Sequence, residues 1–95
     1  MTLKGIQAAR PVSGYYQMTS LGTALPIPGT GAIVMLQAEA QNVRYRADGI
    51  DPTATVGMLL RAGECHTLNM GSGSLQDIKV IEVATGGILN ITAFK

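Results

Sequence analysis

A chain of 95 residues, 46% hydrophobic and only 14% charged, makes one small domain with a thin core. Its folded surface should be about 5,200 Å² against about 14,400 Å² unfolded, which leaves no room for a second domain. A net charge of +1, from seven basic and six acidic residues, excludes a protein that grips nucleic acid by massed positive charge, and the apolar content excludes a disordered chain.

Residues 1–14 carry apolar side chains without strand punctuation and are expected to form an N-terminal arm, with residues 15–95 as a single β domain. Twelve glycines and four prolines then divide the chain into short apolar runs, the pattern of an all-β fold. Residues 15–21 read as the first strand, with one of Tyr15 and Tyr16 facing the core and the other outward. The segment 25–29, with Pro26 and Pro28, cannot be a central strand because proline donates no ladder hydrogen bond, so an edge or a loop is expected. Residues 32–40 begin apolar on both faces and should be covered on both sides. Residues 42–47 alternate, placing Val43 and Tyr45 on one face and Arg44 and Arg46 on the other.

Asp48-Gly49 and Asp51-Pro52 are turn signals in which both aspartates can cap backbone donors. Residues 53–57 are the one stretch allowing a helical turn. Residues 58–60 and 64–68 are two short strands, or one interrupted at Ala62-Gly63, and 71–74 is a flexible loop. Residues 78–84 and 88–94 should pair as a hairpin across Thr85-Gly86-Gly87. The whole reads as a small antiparallel β-sandwich of six to eight short strands, jelly-roll or immunoglobulin-like.

Chemistry-bearing residues are few. Cys65 is the single cysteine and His66 the single histidine. As strand neighbours they point to opposite faces, so they cannot form a thiolate–imidazolium pair. Two Cys or His side chains are too few for a zinc site. Asp48-Gly49-Ile50-Asp51 lacks the remaining ligands of a calcium loop. Gly29-Thr30-Gly31 and Gly71-Ser72-Gly73 lack the Gly-Lys-Ser/Thr ending of a phosphate loop. No enzyme activity, cofactor or metal is expected. The N-terminus lacks the basic and apolar regions of a secretory signal, and no apolar run approaches the roughly 20 residues that span a membrane. Synthesis in the cytoplasm of the producing cell, with no membrane or nucleic-acid partner, is the expectation.

The segment Val43-Arg44-Tyr45-Arg46-Ala47-Asp48-Gly49-Ile50-Asp51-Pro52-Thr53-Ala54-Thr55 resembles the strand–turn–strand motif of the immunoglobulin-like domain at the C-terminus of chitobiases, where it is a fold element. Followed by residues 56–64 and by the apolar segments 78–84 and 88–94, it is also similar in layout to small bacteriophage virion proteins. The likeness covers residues 32–95. It implies a capsid decoration or cement protein on the outer head, bound to the major capsid protein and self-associated as a dimer or trimer. A tail, neck or baseplate component with a surface- or carbohydrate-recognition role is the alternative.

For the docking role the expected contacts are mixed. Leu3, Ile6, Val12 and Tyr15, or Leu25 and Ile27, would supply apolar area, and Arg10, Arg44 and Arg46 would meet capsid carboxylates. Arginines on a polar strand face are equally often only solvated. The carbohydrate role needs exposed aromatic rings. Tyr15, Tyr16 and Tyr45 are the only tyrosines, and Tyr45 shares the inward face of Val43.

Overall fold

The computed structural model describes residues 11–95. The apolar runs become eight strands: β1 (Val12–Met18), β2 (Leu25–Pro26), β3 (Ile33–Glu39), β4 (Val43–Arg46), β5 (Met58–Leu60), β6 (Cys65–Asn69), β7 (Lys79–Glu82) and β8 (Ile88–Phe94). They form two four-stranded sheets, one ordered β1-β8-β3-β6 (sheet A) and the other β2-β7-β4-β5 (sheet B). Every pairing is antiparallel. The first strand pairs with the eighth, the second with the seventh, the third with the sixth and the fourth with the fifth. Such a nested set, rolled into two sheets, is a jelly roll. Of the two sandwich topologies expected, this is the one adopted.

Alternation along the strands builds the core. Val34, Leu36 and Ala38 of β3 and Leu89, Ile91 and Ala93 of β8 are fully buried from sheet A, and Val43, Leu60 and Val80 from sheet B. Leu21, Ile27, Leu75 and Ile78 close the cluster from the loops. Fully burying each valine, leucine or isoleucine of this set contributes about 1.5–3 kcal/mol before ordering costs. Between the sheets, the Tyr45 hydroxyl and His66 Nδ1 hydrogen-bond at 2.9 Å, with their rings edge to face at 5.8 Å. This contact ties β4 to β6, and it uses the polar tips of two half-apolar rings without leaving either unsatisfied.

Several expectations change. The first strand starts at Val12, so residues 12–14 belong to sheet A and not to an arm. The ladder against β8 shifts between Val12 and Gly14, and Leu21 leaves the strand altogether to sit in the core. The segments 78–84 and 88–94 do not form a hairpin. β7 pairs with β2 and β4 in sheet B while β8 pairs with β1 and β3 in sheet A. Thr85-Gly86-Gly87 carries the chain from one sheet to the other, held by Gly87 N–H donating to Glu82 Oε1 at 3.1 Å. Residues 53–57 form no helical turn; Thr53 and Val56 exchange backbone hydrogen bonds at 2.9 and 3.2 Å in a tight turn. The helical turn found among the described residues is a 3-10 turn, Leu75–Asp77, whose Ser74 hydroxyl accepts from Gln76 N–H. No helix among the described residues is long and apolar enough to cross a membrane.

One glycine is dictated by the sheet. Gly31 has φ +125°, and a Cβ there would lie 2.1 Å from the Phe94 carbonyl oxygen, which accepts from Ala32 N–H at 2.9 Å. Gly63, with φ +89°, has open space where a Cβ would stand. Gly31→Ala should therefore cost about 2–4 kcal/mol, strain and collision together, while Gly63→Ala should cost about 1 kcal/mol from strain alone. Urea unfolding of the two variants measures the difference, and equal losses would contradict the packing described.

Candidate functional site

The outer face of sheet A is built by register. Tyr15 of β1, Thr92 of β8, Met35 of β3 and Thr67 of β6 lie side by side in one row, and Gln17, Asn90, Gln37 and Cys65 in the next. Glu39 continues β3 beyond them. Because strand side chains alternate, these residues point away from the core that Val34, Leu36, Leu89 and Ile91 fill. The row before them, Val12, Phe94, Ile33 and Asn69, is apolar over three of its four positions, and Phe94 and Ile33 are buried there.

Asn90 organises the polar rows. Its Oδ1 accepts from the Tyr15 hydroxyl at 2.6 Å and from Gln17 Nε2 at 3.0 Å. Its Nδ2 donates to Glu39 Oε1 at 2.8 Å and to Gln37 Oε1 at 3.3 Å. Two acceptor and two donor positions are the full capacity of an amide, so the network fixes its orientation. The surface is dished here: Tyr15, Gln17, Met35, Gln37, Glu39, Cys65, Asn90 and Thr92 line a depression of about 340 Å³.

A second feature lies at the β4–β5 edge of sheet B. Arg46, Ala47, Asp48, Val56, Gly57 and Met58 line an open depression of about 510 Å³. Val56 and Met58 are 52% and 61% exposed, and Ile50 in the preceding loop is 55% exposed. The Arg46 guanidinium binds Asp48 through Nε at 3.1 Å and Nη2 at 2.5 Å. That bond holds the Asp48 carboxyl below the ordinary carboxylate range and raises Arg46 above its usual value.

The residues expected to meet a partner fare differently. Leu3, Ile6 and Arg10 lie outside the described residues. Val12 and Tyr15 are exposed, at 53% and 60%. Ile27 is not available: at 1% exposure it belongs to the core, where the strand-like run beside two prolines delivers it. Leu25 is half-buried against the same core. Arg44 and Arg46 do point outward, but neither waits for a partner. Arg44 donates to the Ala54 and Gly57 carbonyls at 3.1 and 2.8 Å and so pins the 53–57 turn, and Arg46 is engaged by Asp48. Asp48 caps Ile50 N–H at 3.2 Å as its turn requires, whereas Asp51 instead pairs with Lys79 at 3.1 Å.

Sequence reading did not single out Gln17, Gln37, Glu39 or Asn90. Their one signal is period-2 polarity on strands whose other face is apolar; what brings them together is a register that no single strand encodes. Cys65 and His66 point to opposite faces, Cys65 into the outer depression and His66 toward Tyr45. Among the described residues, no group of three or more His, Cys, Asp and Glu side chains could hold a metal ion. Partial burial pushes the Cys65 thiol up from its ordinary value. Less thiolate means slower attack on an alkylating agent. At pH 7.5 iodoacetamide should modify Cys65 more slowly than the cysteine of an unstructured peptide, and the gap should close as pH rises; an equal or faster rate would contradict the burial.

Comparison of the chain with models of known protein families, with curated proteins and with solved structures gives no match.

Proposed function

We propose that this protein is a non-enzymatic component of a bacteriophage particle, a capsid decoration or cement protein that docks on the outer head and stabilises contacts between major capsid subunits. The observation that carries the reading is the apolar edge of sheet B. Val56 and Met58 stand exposed around an open depression, and Ile50 is exposed in the loop that precedes them, in a chain small enough that such area is costly to leave in water. Jelly rolls are frequent among capsid proteins and lectins, an analogy of fold alone. The layout of residues 32–95 resembles that of small virion proteins and supports the same reading.

The work required of such a protein is thermodynamic. A ligand that binds only the assembled shell stabilises it by RT ln(1 + [L]/Kd), about 2.7 kcal/mol per site when free protein is a hundredfold above Kd. Contact with neighbouring subunits at once adds effective concentration without tighter single contacts. Arg46 and Asp48, paired beside the apolar edge, supply a polar rim. Self-association as a dimer or trimer would match the symmetry axes of a shell.

Val56→Asp combined with Met58→Asp tests the reading, since both side chains are exposed and the fold does not need them. Burial of the two is worth about 3 kcal/mol. The double variant should keep its melting temperature and bind purified heads at least tenfold more weakly in co-sedimentation. Unchanged binding by the folded variant, or binding confined to tails, would overturn the head-docking assignment.

A further inference from the structure

We propose that the outer face of sheet A is a binding site for a neutral saccharide, separate from the docking edge of sheet B. Three properties of the depression around Asn90 argue for this class of ligand.

The first is its pattern of free hydrogen-bonding groups. Asn90 is saturated by Tyr15, Gln17, Gln37 and Glu39 and holds those four side chains in fixed directions. What remains free is the outer half of each partner. Gln17 keeps its Oε1 acceptor, Gln37 its Nε2 donors, Glu39 its second carboxylate oxygen, and Thr92 its hydroxyl; none of these atoms has a hydrogen-bond partner among the described residues. Donors and acceptors thus lie side by side across the three neighbouring strands β1, β8 and β3, on side chains that Asn90 already holds. Adjacent sugar hydroxyls, each both donor and acceptor, match such an array, and prior ordering lowers the entropy cost of binding.

The second property is the aromatic ring. Tyr15 is 60% exposed and is held at its hydroxyl, 2.6 Å from Asn90 Oδ1, so its ring is anchored while much of its surface stays open. An electron-rich ring face attracts the weakly positive C–H groups that a pyranose presents on one side. The third is charge. Glu39 is the one charged side chain in the lining, and neither Lys nor Arg contributes to it. A phosphate, a nucleic acid or an acidic sugar would meet repulsion with nothing to offset it. A volume of about 340 Å³ suits one or two sugar rings, at the small end of ligand sites.

A peptide fits the face poorly. The central strands β8 and β3 have their backbone hydrogen bonds occupied by neighbours on both sides, so no ladder can be extended over them. The lining offers no deep apolar pocket for an anchoring side chain. The site also owes nothing to the 43–55 motif, which lies in sheet B and contributes no residue to it.

The test uses the full chain on an array of neutral and acidic glycans, followed by calorimetric titration with the best neutral oligosaccharide. Saturable binding to at least one neutral glycan is expected, at least tenfold weaker for Tyr15→Ala and for Gln37→Ala. Glu39→Gln, which removes the one negative charge of the lining, should bind acidic glycans that the parent rejects. The Val56→Asp, Met58→Asp variant should bind glycan as the parent does, which separates this site from head docking. Melting temperatures establish that each variant is folded. No binding to any neutral glycan, a preference for acidic glycans in the parent, or full affinity in folded Tyr15→Ala would overturn the proposal.

Discussion

The position of β8 between β1 and β3 is the constraint on which both faces of sheet A depend. From its register, Leu89, Ile91 and Ala93 enter the core while Asn90 and Thr92 leave it. A slip of one residue would exchange the two sets, putting an amide and a hydroxyl among Leu36, Val34 and Val80 and three apolar side chains in water. Each buried polar group left without a partner costs about 1–3 kcal/mol, and each apolar side chain brought to the surface costs a similar amount. The core therefore selects the register, and the register places Asn90 between Gln17 and Gln37. The outer network adds hydrogen bonds to that arrangement but is too exposed to have chosen it.

The same division explains what could be read in the sequence. Strand alternation within a single segment was legible: Val43 and Tyr45 inward with Arg44 and Arg46 outward, Tyr15 and Tyr16 on opposite faces though not which of them turns inward, Cys65 and His66 on opposite faces. Each of these follows from a period of two and a local choice of face. What joins one segment to another was not legible. Thr85-Gly86-Gly87 has the small, flexible residues of a hairpin turn, and the same residues let a chain cross between sheets; only the pairing of β8 with β3, some fifty residues distant in sequence, decides between them. Ile27 looked available because its neighbours Pro26 and Pro28 mark an edge, yet an edge strand still has an inner face. Arg44 and Arg46 were correctly oriented, but their partners, the Gly57 carbonyl and Asp48, belong to the loop they support. The amides of the candidate site were missed for the reason that governs the whole sheet: three strands contribute them, and none is unusual alone.

The two surfaces suit different tasks. The β4–β5 edge is apolar, open and backed by an ion pair that salt would screen, which suits burial against a broad protein surface. The Asn90 face is polar, ordered and shallow, which suits a small hydroxyl-rich ligand. Between them, a core of fully buried aliphatic side chains and the Tyr45–His66 contact hold the sheets in one relation. Burial raises the Tyr45 phenol above its usual range, so this contact keeps its proton across ordinary pH. A particle protein anchored through one surface would leave the other free.

Electron cryo-microscopy of intact particles tests this arrangement most directly. The density of the protein should stand on the outer shell with Val56 and Met58 against capsid subunits and with Tyr15 and Asn90 open to solvent. Particles that lack the protein, or a reconstruction in which the Asn90 face is buried on the shell while the β5 edge is free, would contradict it.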